Sequence, residues 1–396
     1  MSNHSNIPPP PTNLIPENLI PNRKPGEFQE ADIVAAEKMP GFEQAEVFFT
    51  LEKKKEAKYF KKKNQDNILV DPETGLLGVM DGLGGMGNGD IASMIAEQVL
   101  PEEYAQALTQ VTAYRRERLK KLLLQSQTDK IRGLPDEERR LKKAERMVDM
   151  VIRTDPGLAK KALALILALR KTNGAVADAG GMTTACVGLI HRVANGKRYA
   201  IIANIGDSAA YIRRADGRLE RLTHEDSAYE SLMRHGILID GLPLKDYIDL
   251  HRDPLTDKID PRLNIPIPLT PESCRALGYG PDEYGTQKNL GHTHINLKYA
   301  DLMVTVLDSL GGTVPPIPSL EIVGIQEGDE LIFCTDGLVD KYENPRTGET
   351  DLEELGLDMT VGNTPKERLD NLRTLTKQRR TYKLDDDIAI VMARVK

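Results

Sequence analysis

Four apolar runs in this chain meet an aspartate at one end. They are GVMDG at Asp81, NIGDS at Asp207, FCTDG at Asp336, and the acidic run Asp385–Asp386–Asp387 that precedes IAIVMARV. Taken singly each is a common turn signal, because aspartate before glycine suits a tight bend. Taken together they suggest another use. Buried strands crossing one core can bring their polar ends to one edge, and carboxylates gathered there repel each other unless a cation neutralises them. Oxygen ligands with no accompanying histidine or cysteine pattern favour Mg2+ or Mn2+ over zinc. Two such ions lower the pKa of a bound water and clamp phosphoryl oxygens, so the pattern points to metal-assisted hydrolysis.

Asp81 also opens DGLGGMGNGD, in which Gly82, Gly84 and Gly87 fit the G-x-G-x-x-G spacing of a dinucleotide-binding turn. That turn belongs to a strand–turn–helix unit closed by a second parallel strand within about thirty residues. Here the helical DIASMIAEQVL runs into more helical sequence, and no strand returns until Thr183. The loop also lacks the G-K-[ST] ending of a phosphate-binding loop. A nucleotide-dependent enzyme is therefore the weaker rival.

The elements that must position these acids follow from the apolar patterning. AEVFFTLE (Ala45–Glu52), NILVD and LLGVMD (Leu76–Asp81) read as strands. From Asp90 to about Thr172 the composition is helical, rich in Ala, Leu, Glu, Lys and Arg, and predicts two long helices in an antiparallel pair. TTACVGLIHRV, RYAIIANIGD and AAYIRRADGRLERL then predict three successive strands, the last folded at Asp216–Gly217. HEDSAYESLMRHGIL predicts a short helix. Ile239–Met303 has many prolines and glycines and little periodicity, as in a functional flap or an insertion. EGDELIFCTD is a further strand, Pro365–Gln378 a helix, and DDDIAIVMARV a closing strand. Layered helices and mainly antiparallel sheets in one domain result.

The chain of 396 residues, 40% of them hydrophobic, can bury a sizeable core. A formal charge of −7 suggests no nucleic-acid partner, and no apolar run reaches the length of a membrane span. Residues 1–28 are rich in proline and asparagine without the apolar core of a signal peptide, and read as a disordered tail or a ligand for a partner. Three widely spaced cysteines argue for a reducing compartment, the cytoplasm. The lysine triplets 53–55 and 61–63 form either a solvated face or a field that draws in anionic substrates. The His292-x-His294 pair has no third ligand in view, and alternating strand positions account for it.

In order along the chain, KKKNQDN, VMDGLGGMGNGDIAS, GMTTACVGLI, ANIGDSAAYIRRADGRLERLT, SLGG, GDELIFCTDGLVD and DDDIAIVMARV resemble the motif series of one family. They are similar to the metal-dependent serine/threonine protein phosphatases of the protein phosphatase 2C (PPM) type, bacterial branch, over about residues 45–396. The resemblance implies an α+β fold, a four-layer α-β-β-α sandwich of two mainly antiparallel sheets flanked by helix pairs. It implies a catalytic domain over 29–396 with an enlarged helical pair (about 90–172) and flap (about 239–303). It further implies phosphorylated proteins as partners, and hydrolysis of phosphoserine or phosphothreonine by a water bridging two Mg2+ or Mn2+ ions.

By matching position, Asp81 resembles the carboxylate that bridges both metals, and the Gly82 carbonyl a ligand of one of them. Asp336 and Asp386 resemble ligands of the other, and Asp207 a ligand of a third, weaker ion that shares Asp336. Asp66 resembles an acid that orients metal-bound water. Gln65 stands where many members have glutamate, so that site would hold its metal with less charge. Lys61 stands where the family has a phosphate-binding arginine, and keeps the charge while losing the bidentate fork. Leu83 occupies the place of a histidine found in eukaryotic members, and Asp387 that of a usual asparagine. A pseudophosphatase or regulatory binding module with the same fold is the alternative, supported by Gln65 and Lys61 alone.

Overall fold

In a computed structural model of the chain the described residues are 35–36, 45–52, 64–83, 88–111, 120–121, 124, 137–223, 227–251, 260, 262–277, 281–298, 309–312, 316, 318–342, 351–362, 364–378 and 386–396. Two antiparallel sheets lie face to face. One carries, in spatial order, Ser319–Ile325 (β13), Arg198–Ile205 (β6), Ala185–Arg192 (β5), Leu76–Asp81 (β4) and Asp66–Asp71 (β3). The other carries Ala35–Ala36 (β1), Ala45–Glu52 (β2), Ile388–Val395 (β15), Glu330–Cys334 (β14), Ala209–Arg213 (β7) and Leu219–Arg221 (β8).

Successive side chains of a strand face opposite ways, so a strand covered on both sides must be apolar at nearly every position. β4 and β14 show this. Leu77 and Val79 enter the core between the sheets with Cys186, Ile202, Phe333 and Val391. Leu76 and Met80 enter a second core, against the helices Gly89–Gln110 (α1), Glu137–Thr154 (α2) and Pro156–Asp178 (α3), with Leu100, Tyr104, Leu165 and Leu169. On the far side, Ile332 and Cys334 pack with Leu355, Leu369 and Leu372 under the helices Asp336–Val339 (α8), Leu352–Asp358 (α9) and Pro365–Gln378 (α10). The order is helix, sheet, sheet, helix, the expected four-layer sandwich.

Two expectations need correction. The helical stretch contains three described helices rather than a pair, and the last runs to Asp178, beyond Thr172. The break falls at Asp155, whose extended backbone (φ −156°, ψ 110°) ends α2 and whose carboxylate caps α3, accepting from the Gly157 N–H at 2.6 Å and the Leu158 N–H at 3.2 Å. Pro156 then suits the first turn. This start signal was masked by helix-forming residues on both sides. The partner of α1 is α3, their apolar faces meeting in one core.

The segment read as irregular, Ile239–Met303, is built with the expected short helix before it around a small core of its own. Ala228–Arg234 (α4), Leu238–Ile239 (β9), Leu242–Pro243 (β10), Leu244–Leu250 (α5), Asn264–Pro268 (β11), Pro271–Ala276 (α6), Pro281–Asn289 (α7) and His294–Lys298 (β12) bury Leu232, Ile239, Ile248, Ile265, Ile267 and Leu277 together. Elements of 2 to 9 residues are too short to show a period in the sequence. His292 and His294 are exposed at the start of β12, whose residues alternate outward and inward. β13, which closes one sheet edge, escaped the sequence reading altogether. All three cysteines are buried, and none forms a disulfide among the described residues. Among the described residues no helix is long and apolar enough to cross a membrane.

Candidate metal centre

Asp66 opens β3 and Asp81 closes β4, and the antiparallel register sets them directly opposite each other. The backbone of Asp81 is clamped from β5. Its carbonyl accepts from the Thr184 N–H at 2.8 Å and the Thr183 hydroxyl at 2.7 Å, and its N–H donates to Thr184 Oγ1 at 3.0 Å. Thr184 Oγ1 also lies 2.7 Å from Ser208 Oγ. Ser208 belongs to the crossing from β6 in one sheet to β7 in the other, where Gly206 at φ +96° allows the bend and Asp207 follows.

The second sheet supplies the remaining acids. β14 and β15 are antiparallel neighbours, so Asp336 just past the end of one meets Asp386 and Asp387 just before the start of the other. Hydrogen bonds then cross between the sheets. The Thr335 hydroxyl donates to Asp66 Oδ2 at 2.8 Å, and the Gln65 N–H donates to Asp387 Oδ2 at 2.9 Å. The Asp387 N–H donates to Asp386 Oδ1 at 2.9 Å. Glycine permits the close packing: a Cβ at Gly82 would stand 2.6 Å from the Gln65 carbonyl oxygen, and one at Gly337 would overlap the Asp387 carbonyl.

The electrostatics are those of a crowded acid cluster. Burial pushes the Asp81 carboxyl well above the usual carboxylate range, helped by the charges of Asp66, Asp336 and Asp207, and Asp81 shares a hydrogen bond with Asp336. Burial raises Asp66 likewise; Asp387, Asp336 and Asp386 add to the effect and the Thr335 hydroxyl opposes it. Such a cluster is stabilised by a bound cation. Its donors are all oxygen, which fits a hard divalent ion. Among the described residues no three acidic, histidine or cysteine side chains close into a complete cage. Carbonyl, amide and water oxygens would complete the shell, as suits Mg2+, which retains several waters.

The fold thus gathers Asp66, Asp81, Asp207, Asp336, Asp386 and Asp387 at one end of the sandwich. Gln65 lies beside them, its carbonyl accepting from the Gly82 N–H at 3.1 Å and from Ser93 Oγ at 2.5 Å. The Gly82 carbonyl packs close to Gly89, where a Cβ would approach it to 2.8 Å. Lys61, both lysine triplets, Gly84, Gly87, Asp385 and the tail 1–28 lie outside the described residues. Sequence reasoning missed the hydroxyls Thr183, Thr184, Ser208 and Thr335. For Ser208 and Thr335 the available signal was their place directly beside motif acids, in GDS and TDG.

Residues 59–235 match the model of the family described as protein phosphatase 2C, and residues 305–396 match that of Stage II sporulation protein E (SpoIIE). The first match spans residues 59–235, under half of the chain, and together with the ordered motifs it supports a likeness to the bacterial protein phosphatase 2C-type phosphatases. No curated protein matched it. Among solved structures, the serine/threonine phosphatase PstP/Ppp of Mycobacterium tuberculosis is 17% identical with a TM-score of 0.44, covering 89% of this chain and 99% of its own. The serine/threonine phosphatase of S. agalactiae is 16% identical with a TM-score of 0.47, covering 89% and 100%. The PstP catalytic domain in complex with two manganese ions is 15% identical with a TM-score of 0.43, covering 89% and 98%.

Proposed function

We propose that the protein hydrolyses phosphoserine or phosphothreonine in proteins at the acid cluster, with residues 29–396 acting as the catalytic domain and Mg2+ or Mn2+ as the cofactor. The observation that carries this is the convergence of strand-end aspartates from both sheets, whose charges add to burial in holding the Asp66 and Asp81 carboxyls above the usual range. In this reading Asp81, the Gly82 carbonyl, Gln65, Asp336 and Asp386 would hold the ions, and Asp207 would serve a further, weaker one. When bound, the ions supply a water of lowered pKa and neutralise the phosphoryl oxygens. Asp66, fixed by Thr335, orients a water and accepts its proton. Lys61 holds the phosphate by charge.

The test is Mn2+-dependent hydrolysis of p-nitrophenyl phosphate and of a phosphothreonine peptide, beside Mn2+ titration by calorimetry. Activity lost in Asp81→Asn and Asp336→Asn supports the assignment. A folded protein that neither binds Mn2+ nor hydrolyses either substrate overturns it.

A further inference from the structure

We infer that Thr335 is a positioning residue that sets two acids of the proposed metal site at once, Asp66 through its hydroxyl and Asp336 through its backbone; the inference rests on the function proposed above. Thr335 is fully buried, one residue past the end of β14. Its N–H continues the ladder by donating to the Ala389 carbonyl at 3.1 Å. A regular ladder would return the bond from the Ala389 N–H to the Thr335 carbonyl. Instead the Ala389 N–H donates to Thr335 Oγ1 at 2.9 Å, and the carbonyl accepts from the Leu338 N–H at 3.2 Å, inside α8.

The hydroxyl therefore takes over the acceptor role of its own carbonyl. That exchange lets the chain leave the strand and enter the helix within one residue, placing Asp336 at the first helical position beside Asp81. Because the oxygen already accepts from Ala389, its single proton is directed to Asp66 Oδ2. The Asp66 carboxylate, on the other sheet, is held by the same atom that shapes the approach to Asp336. Serine can do all of this. Valine, of similar shape, can do none of it and leaves the Ala389 N–H without its acceptor.

The experiment uses the full chain with Thr335→Val, Thr335→Ser and a control, Thr376→Val, which removes another buried hydroxyl, one that donates within its own helix to the Leu372 carbonyl at 2.6 Å. Mn2+ affinity is read by calorimetry, and kcat and KM with p-nitrophenyl phosphate. The expected result for Thr335→Val is Mn2+ binding and kcat each reduced about 10- to 100-fold with KM within about twofold. Thr335→Ser restores both and Thr376→Val changes neither. A folded Thr335→Val with the affinity and kcat of the parent overturns the inference, as does an equal loss in Thr376→Val. Should the valine variant not fold, Thr335→Cys takes its place with the same two outcomes. A parent chain that neither binds Mn2+ nor turns over removes the functional reading itself.

Discussion

Asp66 and Thr335, 269 residues apart in sequence, are joined by a 2.8 Å hydrogen bond that crosses from one sheet to the other. Around it, Gln65 is bonded to Asp387 across the same gap. The acid cluster is thus held by the framework that sets the spacing of the two sheets, which makes its chemistry and its stability separable by mutation.

Asp81→Asn is expected to lower Mn2+-dependent activity by more than about 100-fold, beyond the usual cost of losing an outer partner. Without metal the same change relieves carboxylate repulsion, so the variant is expected to melt at or above the temperature of the parent. At 100 times its dissociation constant a bound ion adds about 2.7 kcal/mol to the parent. That gain should shrink in the variant and vanish from both on chelation, as thermal denaturation with and without Mn2+ will show.

Glu330 is buried on β14 and is held by Arg213 on β7 and Arg368 on α10, which ties the outer helix to the sheet. Removing Arg368 leaves the buried Glu330 to Arg213 alone. Arg368→Ala is expected to cost about 2 kcal/mol in urea denaturation, the loss of a hydrogen bond to a charged group. Activity below the unfolding transition should persist, because Arg368 does not touch the acid cluster.

Gly337→Ala would drive a Cβ into the Asp387 carbonyl at the start of β15. Overpacking of this kind costs about 1–3 kcal/mol. The displaced segment carries Asp386 and Asp387, so activity is expected to fall by more than the stability loss explains, measured as kcat at a temperature where both proteins are folded.

Asp155 tests the helix start. Burial raises its pKa, but the N–H groups of Leu158 and Gly157 together with His191 outweigh that and hold it below the usual value. Its stabilising contribution is therefore present above the unfolded pKa near 4 and is lost as pH falls through the lower folded value. Asp155→Ala is expected to destabilise by about 1 kcal/mol at pH 7. The difference should shrink as pH falls from about 4 toward and through the lower folded value, in paired thermal melts.

Much of this architecture was legible in the residues. The strands at Leu76–Asp81, Glu330–Cys334 and Ile388–Val395 were readable because burial on both faces demands an apolar residue at nearly every step, and each run has an aspartate at or next to one end. The helix Pro365–Gln378 lies where its composition places it. Short elements stacked by proline and glycine concealed the core around Ile265 and Ile267, and the Asp155 cap was hidden between two helix-forming stretches.

By itself the sequence determined most of the buried strands of the two main sheets, β13 excepted, and that acids stand at their ends, since both follow from local side-chain chemistry. Only the tertiary structure decided that β6 and β7, adjacent in the chain, belong to different sheets, and that Asp66 on one sheet meets Thr335 and Asp387 from the other. Strand neighbours are chosen by filling two cores at once, and hydrogen bonds and charge repulsion act over a few ångströms of space whatever the separation along the chain.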